Sequence, residues 1–283
     1  YLANMGLLST LVEADDAVFL DSAGHASLID GARLCNGVLR SFRHNLPSSL
    51  HQRLRAWRDK HPGGGALVAV DGIYSMEGDR APVAEIAAVC ADSGARLLVD
   101  EAHALGVLGP QGAGAAAAEG IQPDLVMGTF SKSLASCGGF IAGPQAVIDY
   151  LRIACRPLLF TASGVPAALG AALAAARIAR QEPERREAVL TRAGELHRGL
   201  RDRGFAVGPD PEGPIVPVHV GGDWAAARLW RTLLDLGVYT NCAIAPAVPP
   251  GRALLRTSVM ATHTPDHIHD VLVAFEEARS TLA

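Results

Sequence analysis

Lysine is nearly missing from this 283-residue chain: two lysines stand against 23 arginines. Lys60, in the polar turn Arg58-Asp59-Lys60-His61-Pro62, reads as a solvated surface charge. Lys132 follows the apolar run Leu125-Val126-Met127 and precedes Gly138-Gly139-Phe140-Ile141-Ala142-Gly143. An ammonium between two strand-like runs is costly unless it is paired or chemically used. Desolvation makes such an amine a nucleophile or imine former. On these residues alone, a lysine that snorkels to water is the simpler reading.

Other absences exclude whole classes. The five cysteines (Cys35, Cys90, Cys137, Cys155, Cys242) are odd in number, widely spaced and without a Cys-x-x-Cys pair. This argues against a disulfide framework and against a zinc or other metal site, and for a reducing, cytoplasmic setting. No apolar run is long enough to span a bilayer, and the alanine-rich stretch 167–176 stops at Arg177. The formal net charge of -4 leaves no basic surplus for nucleic acid. Asp100-Glu101-Ala102-His103 has the letters of a helicase box, but neither lysine follows a glycine. With no phosphate-binding Gly-Lys loop, nucleotide hydrolysis is excluded. The sequence begins at Tyr1, inside what reads as a helix start, as expected of a piece of a longer chain.

What is present is an apolar chain, 49% hydrophobic, in which short apolar runs alternate with helical patterns. Residues 18–20, 38–39, 66–70, 95–99, 125–127 and 140–142 read as strands; 27–36, 46–60 and 82–93 read as helices. Continuous apolar strands interleaved with helices predict a mostly parallel sheet covered on both faces. After about residue 160 the pattern shifts to helices 163–181 and 184–203, strands 215–220 and 254–259, and helices 223–236 and 265–281. The expectation is an α/β large domain over 1–162, lacking part of its beginning, and a small C-terminal α+β domain over 163–283, joined by a long shared helix.

Parallel sheets collect functional groups at the carboxyl ends of their strands. Asp71, Asp100 and Thr129 fall there, with His103 and Lys132 a few residues on. An acid at one strand end and a lysine one strand later suit pyridoxal 5'-phosphate, which needs an amine for its aldehyde and a carboxylate for its ring nitrogen. Singly, Asp100 fits a helix cap and His103 a structural role; their joint placement is harder to dismiss.

Four runs in order carry a resemblance: Gly24-His25-Ala26-Ser27-Leu28-Ile29-Asp30-Gly31, Asp71-Gly72-Ile73-Tyr74-Ser75-Met76-Glu77-Gly78-Asp79, Val99 to Gly109 around Asp100-Glu101-Ala102-His103, and Met127-Gly128-Thr129-Phe130-Ser131-Lys132. Together they resemble the α-oxoamine synthases, fold-type-I pyridoxal-phosphate enzymes, over essentially the whole chain. The resemblance implies that Lys132 holds the cofactor covalently and serves as the base, that Asp100 pairs with the ring nitrogen and that His103 meets the phenolic oxygen. By the same resemblance His25 stacks on the ring and orients substrate, Ser75 lies near the phenolic oxygen, and Thr129 reaches the phosphate. Thr161, in Phe160-Thr161-Ala162-Ser163, would serve the phosphate of a neighbouring subunit, which implies a homodimer. Tyr1 resembles the end of a turn that cradles the phosphate at a helix start, and Arg256 matches the residue that binds the amino-acid carboxylate.

The activity so implied is condensation of an amino acid with an acyl thioester, on coenzyme A or a carrier protein, with loss of CO2. Some relatives carry an arginine and a threonine where this chain has Ile244 and Ala247, so those substrate contacts differ here. Ser131-Lys132-Ser133-Leu134-Ala135-Ser136 and Arg256 to Thr264 lean towards the serine-palmitoyltransferase-like branch. Two alternatives stay open: an aminotransferase on the same fold, and a non-catalytic partner subunit, which retention of Lys132, His25, Asp100 and His103 disfavours.

Overall fold

The computed structural model describes residues 1–282. They form two compact units, Tyr1–Tyr74 with Arg80–Gln181, and Ser75–Asp79 with Glu182–Ala283. Helix 166–181, expected to join two domains, belongs wholly to the first unit; Ser136 Oγ donates to its Ala168 carbonyl at 2.6 Å. The division therefore falls after residue 181, not after 162.

The first unit runs α1 (Leu2–Leu11), β1 (Ala17–Asp21), α2 (Ala26–Leu34), β2 (Val38–Phe42), α3 (Pro47–Arg58), β3 (Ala66–Asp71), α4 (Val83–Ser93), β4 (Arg96–Asp100), α5 (Ala115–Ala118), β5 (Leu125–Thr129), β6 (Gly139–Ala142), α6 (Gln145–Ala154), α7 (Arg156–Leu159) and α8 (Pro166–Gln181). Its sheet has the order β2-β1-β3-β4-β5-β6. Five strands are parallel, and β6 returns antiparallel to β5 through a loop.

Why the strand sequences read as unbroken apolar runs is clear from the packing. Residues of β1, β3 and β4 alternate between two buried layers. Phe19, Val68, Val70, Leu97 and Val99 face Leu50, Leu54 and Trp57 of α3 and Ile86 of α4. Val18, Leu20, Leu67, Ala69 and Leu98 face Leu7 and Leu8 of α1 and Leu28 of α2. Alternation is present, but both faces need apolar side chains. Local signals set the helix ends: Pro47 opens α3, and Gly94, left-handed at φ 62°, closes α4 by sending its N–H to the last carbonyls. The sequence expectations missed α6 and α7 entirely; they are short, and their apolar residues stay largely exposed.

Glu101 is structural. Its buried carboxylate accepts the N–H groups of Ala115 at 2.7 Å and Ala116 at 2.9 Å, capping the start of α5. Gly72 and Gly114 leave it room, since a Cβ at either would approach within 2.6 Å and 2.4 Å of it.

The second unit comprises α9 (Glu184–Asp202), β7 (Ala206–Val207), β8 (Ile215–Gly221), α10 (Asp223–Asp235), β9 (Asn241–Ala243), β10 (Ala253–Ser258) and α11 (Pro265–Ala278). Its antiparallel sheet has the order β7-β8-β10-β9. Thr264 and His267 form a reciprocal cap at the start of α11. Among the described residues no helix is long and apolar enough to cross a membrane.

Candidate active site

Three adjacent parallel strands end on polar residues: β3 on Asp71, β4 on Asp100, β5 on Thr129. A cavity of about 210 Å³ lies beyond them, lined by Tyr1, His25, Ser27, Asp71, Asp100, His103, Thr129, Ser131 and Lys132 among others. Six of the nine residues picked out from the sequence therefore meet in one place. Of the other three, Thr161 is exposed and lies outside this cavity, and Ser75 and Arg256 belong to the second unit.

Asp100 is held on both oxygens. It is buried; Oδ2 accepts from Asn4 Nδ2 at 2.7 Å and Oδ1 from the Ala102 N–H at 2.9 Å. Burial raises its pKa above the usual carboxylate range, while Asn4, the Ala102 N–H, Lys132 and His25 pull it back. The same Asn4 nitrogen donates to Ser27 Oγ at 2.8 Å, and Ser27 Oγ lies 2.7 Å from His25 Nδ1. Because Nδ1 also accepts the Ser27 N–H at 3.2 Å, it is the acceptor in both contacts, and the neutral ring carries its proton on Nε2. One amide thus ties the carboxylate to the imidazole. Asn4 and Ser27 escaped the sequence reading as site residues; the available signal was a lone amide in the apolar run of α1, which alone is weak.

Lys132 is exposed in the β5–β6 loop at the mouth of the cavity and is not desolvated between strands, because that loop reverses the chain beyond the sheet end. Its charge nonetheless favours the ionised forms of Asp71 and Asp100. The loop is pinned by Ser133 Oγ, which donates to the Leu105 carbonyl at 2.6 Å. Gly106, at φ 78°, permits this approach: a Cβ there would stand 2.6 Å from that of Ser133. Thr129 Oγ1 sits 2.9 Å from Ser131 Oγ, beside the first turn of α1. Tyr1 caps that helix without a side-chain hydrogen bond, and no acid occupies the turn. Its hydroxyl donates to Asp30, and its ring meets His25 edge-on at 6.1 Å. An apolar groove of about 580 Å³ continues from Tyr1, Met127, Thr129 and Ser131 past Cys137, Phe140, Leu151 and Leu158. In the second unit, Arg256 lies on β10 with its Nε buried and unpartnered, and burial lowers its pKa.

These groups fit pyridoxal phosphate. A buried carboxylate keeps lone pairs beyond its two donors, an amine stands at the mouth, and two hydroxyls lie beside the first turn of α1, where an anion is favoured. The arrangement defines a fold-type-I pyridoxal-phosphate transferase. The chain belongs to the aminotransferase class I and II family, whose profile matches residues 1–275, and within it to the pyridoxal-phosphate-dependent α-oxoamine synthases. A serine palmitoyltransferase of Caulobacter vibrioides is 45% identical over 284 residues, covering 100% of this chain and 70% of that protein. An 8-amino-7-oxononanoate synthase of Alkalilimnicola ehrlichii is 39% identical over 277 residues, 97% of this chain and 70% of the relative. A serine palmitoyltransferase structure from S. paucimobilis, carrying a pyridoxal-phosphate–myriocin aldimine, superposes with a TM-score of 0.95 at 40% identity, over 99% of this chain and 71% of that one. The S. paucimobilis enzyme aligned by sequence is 42% identical over 281 residues, 98% of this chain, which spans 66% of its length.

The Asn4 contact carries a pH prediction. Asn4→Ala removes a donor from the carboxylate form of Asp100, and a hydrogen bond to a charged group is worth about 1.5–3 kcal/mol. Asp100 then protonates at higher pH, so the acid limb of cofactor binding moves up by about 1–2 pH units. Titrating cofactor-free protein with pyridoxal phosphate across pH reads this; an unmoved limb disproves the role of Asn4.

Proposed function

We propose that the protein is an α-oxoamine synthase of the serine palmitoyltransferase type, joining serine to a long-chain acyl thioester. The balance is amino acid plus thioester plus one proton, giving an α-amino ketone, CO2 and a free thiol. The supporting observation is the single cavity that holds Lys132, Asp100, His25 and His103 at neighbouring strand ends. Serine and a palmitoyl chain are the substrates of the serine palmitoyltransferases at 45% and 42% identity.

Bound in this cavity, pyridoxal phosphate supplies an electron sink for charge developing at the substrate α-carbon. Asp100 would hold a proton at the ring nitrogen, and the hydrogen bond from Asn4 favours its ionised form. His25 would cover one ring face, its tautomer fixed through Ser27. His103 and Ser75 would hydrogen-bond the phenolic oxygen. Thr129 and the first N–H groups of α1 would take the phosphate. Lys132 would hold the cofactor and move the α-proton as general base. Arg256, with an unpartnered Nε, would bind the amino-acid carboxylate.

The discriminating assay supplies full-length protein, pyridoxal phosphate and single amino acids with palmitoyl-coenzyme A. CO2 and thiol released together, serine-dependent and lost in Lys132→Ala, are expected. Nitrogen transfer to a keto acid, with no thioester requirement, would identify an aminotransferase instead.

A homodimer and a cytoplasmic setting are part of the same reading. Exposed Ile153, Leu158, Leu159, Phe160 and Val165 flank Thr161 and suit a covered surface, and the five free cysteines suit a reducing compartment. Light scattering should give twice the protomer mass; an active monomer would remove the shared site.

A further inference from the structure

Asp71 is a buried acid that the roles above leave unused. It ends β3 in register with Asp100 at the end of β4, and each is 3% exposed. The two differ in what holds them. Asp100 has one donor on each oxygen, at 2.7 Å and 2.9 Å. Asp71 has the His25 N–H alone, at 3.1 Å on Oδ2, and its buried Oδ1 has no hydrogen-bond partner. Two neighbouring carboxylates out of water do not both ionise, and the better-solvated one keeps the charge.

We propose that Asp71 stands as a neutral carboxylic acid beside an ionised Asp100, a positioning residue that fixes His25 through its N–H and leaves Asp100 to face the cofactor ring nitrogen as the anion of the pair. The link to the ring nitrogen rests on the proposed function; the protonation state does not. An acid O–H on Oδ1 presents a donor at the cavity wall, which accounts for an oxygen that no protein donor approaches.

The surrounding charges agree. Burial, then the Asp100 charge, hold Asp71 well above the usual carboxylate range, and Asp21 adds to this; the His25 N–H and Lys132 oppose it. The facing groups are Asp21 from β1, Asp100 and Glu101 from the end of β4, His25 before α2, and His103 and Lys132 from the loops after β4 and β5. Asp21 is engaged by His44 and two backbone N–H groups, and Glu101 by the start of α5.

Asp71→Asn keeps an oxygen for the His25 N–H and removes the titrating proton. With the folded pKa raised above the unfolded value, wild-type folding takes up a proton, so stability falls as pH rises from about 4 towards the folded pKa. In cofactor-free protein the variant should therefore melt above wild type, by a margin that grows from about pH 5 to about pH 8. A variant that melts no higher than wild type, by a margin that does not change from about pH 5 to about pH 8, means an Asp71 ionised in the fold and overturns the proposal. Infrared spectroscopy of the cofactor-free wild type should show a protonated-carboxyl stretch at neutral pH that Asp71→Asn removes; no such band, or its loss in Asp100→Asn alone, also overturns it. For positioning, Asp71→Val, which lacks the acceptor, should bind pyridoxal phosphate about ten-fold more weakly than Asp71→Asn; equal binding removes that role. The melting and infrared arms need no cofactor, so they stand or fall apart from the proposed function.

Discussion

The hydrogen bonds from Asn4 to Asp100 and to Ser27 organise this site. Asp100 is buried at the end of a central strand, where an ionised carboxylate is expensive. The amide on α1 offsets that expense and, through Ser27, also sets which nitrogen of His25 carries the proton. The helix that supplies Asn4 packs Leu7 and Leu8 into the sheet, and its N-terminus opens towards the cavity beside Thr129 and Ser131. Core packing, the acid, the imidazole and a candidate anion site therefore share one short helix. Gly31 lets α2 lie against it, since a Cβ there would come within 2.9 Å of the Asn4 carbonyl oxygen.

Much of this was legible in the chain. The apolar runs of β1, β3, β4 and β5 announced a doubly covered parallel sheet, and the rule that function gathers at strand ends picked out Asp100, Thr129 and Lys132, which line one cavity. What stayed hidden depends on contacts between distant residues. Asn4 and Asp100 are 96 positions apart, and no local pattern marks an amide as the support of an acid. The surroundings of Lys132 were not legible, because apolar neighbours in sequence do not fix where a connecting loop projects. The boundary near residue 162 was misplaced because α8 follows a turn-like stretch yet is tied back by Ser136.

The electrostatics of the cavity are asymmetric in a useful way. Three acids end the strands β1, β3 and β4, but they are satisfied to different degrees. Asp21 has His44 and two N–H groups, Asp100 has two donors, and Asp71 has one. Graded solvation by protein donors lets neighbouring carboxyls hold different proton occupancies at one pH. Lys132 is exposed at the mouth, and an apolar groove runs beside the cavity.

Scarcity of lysine gives the central claim, that Lys132 carries the cofactor opposite Asp100, a clean test. Borohydride reduction of the cofactor-loaded protein, followed by peptide sequencing, reports which amine was joined to the aldehyde. A pyridoxyl group is expected on the peptide containing Lys132 and none on that containing Lys60. A label on Lys60, or a fully loaded protein in which Lys132 stays unmodified, would contradict it.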